Sequence, residues 1–299
     1  MKAFTLLGLV FLLPFLNLNI YANDSEDNLE SLPFSEEDLD INALLKKAKE
    51  NTFKDLEQAL HFANIAHKKV KDSGQTDLLF KINQLKGWCF ENNNLLDSAK
   101  VYYQYAFQDA VNHENAQEQI KALSDLAVIE RRQTNYSNSK TYRTKALEIA
   151  EKLQDKNALA VTYHGLGSLY RDVGDFDKSA SYFLKAIEFN EQLGDKGNVV
   201  NSMQFLATTY AEAEHFELAL STIHQANQMA LEVGDSILTG MVLFDFGKIL
   251  GLMDKHYSAL EKFETSLILF EALQHKPLIA RTLFYIGDNY SQQKNYEKA

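Results

Sequence analysis

The sequence of 299 residues holds one cysteine, three prolines and thirteen glycines. A single thiol excludes a disulfide framework and any metal site built from several thiolates. Scarce proline and glycine argue against the many tight turns of a β-sandwich or barrel. Basic residues are in deficit too, 30 against 41 acidic ones, so neither a nucleic-acid backbone nor an anionic membrane is an expected partner. Catalytic motifs are also missing. The eight histidines (His61, His67, His113, His164, His215, His224, His256, His275) form no HExxH pattern and no pair at metal-ligand spacing. No glycine-rich phosphate loop and no GxSxG nucleophile turn occurs. Cys89, within the apolar run Trp88-Cys89-Phe90, reads as a packed thiol. No catalysis, cofactor or metal is expected. With 45% apolar and 24% charged residues the chain nonetheless has the means to bury a core, which argues against disorder.

The one long hydrophobic run stands at the start. Lys2 precedes an uncharged stretch of 14 residues, Ala3 to Leu16, and Ile20-Tyr21-Ala22 ends on a small side chain. This is the layout of a secretory signal peptide over residues 1–22, and it is too short for the roughly 20 residues of a membrane span. Cleavage after Ala22 would leave a chain exported to the bacterial periplasm, with no other membrane insertion. Residues 23–40 carry eight carboxylates and no lysine or arginine, as a solvated, flexible leader does.

What the rest contains is a period of forty. One column reads Ala59, Ala99, Ser139, Ser179, Ala219, Ala259, Ala299. A second reads Ala66, Ala106, Ala146, Ala186, Ala226, Ser266, and a third Gly87, Ala127, Gly167, Ala207, Gly247, Gly287. Within one unit Tyr163, Leu166, Leu169, Tyr170 and Val173 recur at helical spacing. Gly174-Asp175 then punctuates, and Phe176, Ser179, Phe183, Ala186 and Ile187 form a second apolar stripe. Each unit is therefore a helical hairpin whose small columns mark close packing. Gly74, Gly194 and Gly234 fall where second helices end, Asp195 and Asp235 where the next helices begin, and Pro277 just inside a first helix. The expected fold is all-α, an array over 41–299 of about six complete hairpins and a seventh cut in half. Ala299 stands near the start of a second helix, so the chain is expected to be the front part of a longer protein.

The stretches Leu166-Gly167-Ser168-Leu169-Tyr170, Gly174-Asp175-Phe176-Asp177-Lys178-Ser179 and Phe183-Leu184-Lys185-Ala186 resemble the tetratricopeptide repeat (TPR) consensus. Forty residues per unit and no proline closing each second helix depart from the usual pattern. They resemble the long-helix subclass of kinesin light chains and bacterial signalling proteins. The resemblance implies a right-handed superhelical solenoid whose first helices line a concave groove for peptides or protein segments.

First-helix residues outside the packing columns are the binding candidates: Arg131, His164, Ser168, Arg171, Gln204, Thr208, Phe244 and Lys248. Arg131, Arg171 and Lys248 could form a cationic patch able to pair a carboxylate; an ordinary solvated face is the alternative. The expected function is an exported interaction module for a protein or peptide ligand. The competing reading, by analogy with other exported repeat arrays, is the periplasmic sensor region of a transmembrane diguanylate cyclase or sensor histidine kinase.

Overall fold

A computed structural model describes residues 39–293. The expected signal peptide, residues 23–38 of the leader and the last six positions lie outside the described residues. Within them the architecture is all-α, thirteen helices without a strand. In chain order these are α1 (Ile41–Asn51), α2 (Leu56–Ser73), α3 (Leu79–Asn92), α4 (Leu96–Asn112), α5 (Ala116–Arg132), α6 (Tyr136–Leu153), α7 (Lys156–Asp172), α8 (Phe176–Leu193), α9 (Lys196–Glu212), α10 (Phe216–Val233), α11 (Ser236–Leu252), α12 (His256–Ala272) and α13 (Lys276–Gln292). Six hairpins, α1/α2 to α11/α12, are followed by α13, the first helix of a seventh unit. Among the described residues no helix is long and apolar enough to cross a membrane.

The hairpins stack as the small columns demand. Ala59, Ala99, Ser139, Ser179, Ala219 and Ala259 are essentially inaccessible, as are Ala66, Ala106, Ala146, Ala186, Ala226 and Ser266. Serine is accepted there because a neighbouring backbone carbonyl satisfies it. Ser139 Oγ donates to Ala127 O at 2.8 Å, Ser179 to Gly167 O at 2.9 Å and Ser266 to Gly240 O at 2.8 Å. At Gly87, Gly167 and Gly247 of the third column the side chain is missing so that a ring can take its place. A Cβ on Gly87 would stand 2.6 Å from the Tyr103 ring, and one on Gly247 2.6 Å from Phe263.

The turns keep one conformation whatever residue carries it. Gly74, Gly194 and Gly234 adopt left-handed φ of 71°, 70° and 75° after second helices, as C-caps do. Asp195 Oδ1 accepts the Asn198 N–H at 3.0 Å, and Asp235 Oδ1 accepts the Ile237 N–H at 2.8 Å, so both are N-caps. Pro277 lies in the first turn of α13.

Each first helix also touches the next: α1 with α3, α3 with α5, and so on to α11 with α13. No two successive second helices make comparable contact. The first helices therefore form the inner row of the stack and the second helices the outer one.

Candidate partner-binding face

Side chains on the inner row meet across a gap of one unit plus one residue. Gln84 Nε2 (α3) donates to Asp125 Oδ2 (α5) at 3.0 Å, and Arg131 Nη1 (α5) to Asp172 Oδ2 (α7) at 2.6 Å. Arg171 Nε (α7) lies 3.8 Å from Glu212 Oε2 (α9), and Gln204 Nε2 (α9) donates to Asp245 Oδ2 (α11). Where the pair is apolar, rings replace the hydrogen bond: the Phe244 (α11) and Tyr285 (α13) centroids are 5.0 Å apart. Every rung spans 41 positions, because parallel neighbouring helices place those residues opposite one another.

This ladder decides the state of each candidate. Arg131, Arg171 and Lys248 remain partly exposed, yet each holds a carboxylate: Asp172, Glu212 and, at 3.4 Å, Asp245. Arg171 Nη1 also donates to Thr208 Oγ1 at 3.0 Å while its guanidinium covers the Phe205 ring at 5.0 Å. Their positive charge is thus largely internal to the row. Gln204, Thr208, Ser168 and Phe244 depart from the expectation of a groove-facing surface, since all four are buried. They leave the packing columns but enter the seam between first helices, where Phe244 packs against Phe263 and Tyr285. His164 stands edge-on to Phe205 at 4.9 Å and Phe183 at 5.2 Å, with Nδ1 3.2 Å from Ser202 Oγ. Burial, then Arg143, Arg171 and Arg131, push its pKa down to about 4, so the imidazole is neutral at ordinary pH.

The carboxylates that complete the rungs are absent from the sequence-derived set. Their signal was present, an acid or amide 41 residues from a cation or amide, but a strict forty-residue register hides it. Arg143 was hidden differently. It belongs to a second helix, in a column otherwise filled by Ala63, Tyr103, Phe183, Ile223 and Phe263. It is 6% exposed, and burial with the nearby Arg131 lowers its pKa to about 10, so it stays charged.

Other features are structural. Cys89 is buried, 3.4 Å from Thr52 Oγ1, and burial raises its pKa. Trp88 meets Phe53 edge-on at 5.4 Å. Among the described residues no cluster of His, Cys, Asp or Glu could hold a metal. Two open depressions, of about 780 and 630 Å³, lie beside the turns at Asn115 and Asp175, the first reaching the start of α5 and the second Glu212 at the end of α9.

A tetratricopeptide repeat model matches residues 118–192 and 160–232. No curated protein matches the chain significantly. Among solved structures, the apo form of RapI is 13% identical, with 87% of this chain and 93% of that one covered at a TM-score of 0.69. The apo quorum sensor NprR from B. thuringiensis is 15% identical, with 87% and 79% covered and a TM-score of 0.66. A Rap protein complexed with competence and sporulation factor is 14% identical, with 87% and 76% covered and a TM-score of 0.61.

Proposed function

We propose, from the premise that this is a tetratricopeptide-repeat protein, that its inner row of first helices binds an extended peptide or protein segment in the bacterial periplasm. The observation that carries the reading is the unbroken contact from first helix to first helix. It makes one continuous face out of seven units, while the outer helices are left to hold the curve. An elongated ligand can then meet several units at once, each adding a modest contact. The likeness of the stack to NprR, a quorum sensor, and to a Rap protein held with competence and sporulation factor supports a receiving face of this kind. Export rests on the layout of residues 1–22.

The test is selection of peptides from a random display library on the full chain. Binders are expected to lose about tenfold or more in affinity on Arg171→Ala, which strips the inner row, and to be indifferent to Leu184→Ala on the outer row. Binders weakened only by the outer substitution overturn the reading. Export is checked separately by N-terminal sequencing of the periplasmic fraction. A chain beginning at Asn23 supports it, and a cytoplasmic chain that retains Met1 to Ala22 contradicts it.

A further inference from the structure

The rung between α5 and α7 differs from its neighbours. By the 41-residue register Ser124 faces Gly165, as Gln84 faces Asp125 and Gln204 faces Asp245. Gly165 contributes no side chain, and the Arg143 guanidinium fills the vacated place: a methyl group on Gly165 would overlap its Cζ and both nearer nitrogens. Arg143 thus threads from the outer helix α6 to the inner row. Once there it makes no hydrogen bond or close ion pair with any described residue; Asp125 attracts its charge from further off and Arg131 repels it. The Ser124 hydroxyl is buried without a partner as well. On this one rung a buried guanidinium with only a distant carboxylate and a buried hydroxyl without an acceptor are costly unless something supplies them.

We propose that this gap is a carboxylate-binding subsite, with Arg143 as its anchor and Ser124 as its second donor. The proposal rests on the inner row being the partner-binding face and names what that face recognises: an acidic side chain or terminal carboxylate of the bound segment. Charge selects a monoanion. Lys121, Arg131, Arg143 and Arg171 face Asp125, Asp172 and Glu212, an excess of one positive charge beside a neutral His164. One carboxylate closes that balance, whereas a phosphate dianion overshoots it. The guanidinium fork also matches carboxylate geometry.

The probe is sodium acetate, titrated into the ¹⁵N-labelled full chain at constant ionic strength near neutral pH, reading the arginine Nε–Hε resonances. One resonance, identified by its loss in Arg143→Met, is expected to shift saturably in the millimolar range. Acetamide should leave it in place, and inorganic phosphate should act more weakly than acetate. A resonance that ignores acetate, or answers acetamide or phosphate equally well, overturns the subsite. Arg143→Met is expected to fold with no loss of thermal stability, because it removes a buried charge that no close partner compensates. A clear drop in its unfolding midpoint would instead give Arg143 a purely structural role and overturn the proposal. Should Met prevent folding, Ser124→Ala is titrated in its place, with acetate binding expected to weaken about fivefold; unchanged binding contradicts the second donor. Failure of acetate while selected peptides still bind the inner row removes only the subsite. Acetate binding without any peptide binder removes the broader reading and leaves the subsite standing.

Discussion

Single residues that break a column show what the column is for. Lys86 occupies a place held elsewhere by Leu126, Leu166, Leu206 and Phe246. It is buried with only His67 Nδ1 at 3.3 Å and the Tyr102 ring at 5.4 Å to receive its ammonium. Burial and the nearby Lys71 bring its pKa down to about 8. Lys86→Met is therefore expected to stabilise the chain at pH 7 by about 2 kcal/mol, measured by denaturant unfolding. The folded-state pKa lies below the unfolded one, so the native chain gains stability as pH rises from about 8 towards 10.5. The advantage of the variant should shrink over that window. A constant advantage would mean that packing rather than charge is responsible. Thr134 is a second such residue: it is β-branched yet held at φ 61°, in the turn position that Gly174 fills at 78°. Thr134→Gly is expected to raise stability by about 1 kcal/mol, and a lower unfolding midpoint would contradict this.

At the scale of the element, a hairpin is fixed by what its two helices leave out. Gly247 admits the Phe263 ring, and Gly247→Ala should cost about 1 to 3 kcal/mol because neither the ring nor the backbone has room to move. An unchanged thermal midpoint would show the contact to be slack. The hairpins, their order and their small-residue joints were legible in the sequence, since packing density writes itself as Ala, Ser and Gly at fixed intervals. The turns were only half legible. Gly74, Gly174, Gly194 and Gly234 announce a left-handed residue and Asn94 and Asp254 permit one, but Glu114, Gln154, Glu214 and Gln274 adopt a left-handed φ without any side-chain signature. In those turns the flanking helices impose the conformation.

Across the described stack, the candidate face was legible in position and misread in detail. Arg131, Arg171 and Lys248 do lie on the inner row, but Arg131 and Arg171 are joined to acids one unit away and Lys248 to Asp245 on its own helix, so the row is a laced surface more than a cationic patch. Phe244 and Gln204 were read as groove residues because a column analysis cannot see the seam between successive first helices, which takes residues from outside every intrahairpin column. Arg143 escaped because its chemistry belongs to one hairpin while its charged end lies at the next. Lacing of this kind gives the row stiffness and leaves a partner only the groups that the rungs do not consume. The measurement that bears most directly on this account is amide hydrogen exchange of the full chain, with and without a peptide selected on it. Slowed exchange concentrated in α5, α7 and α9 is the predicted result. Protection confined to the outer helices α6, α8 and α10 would contradict the claim that the inner row receives the partner.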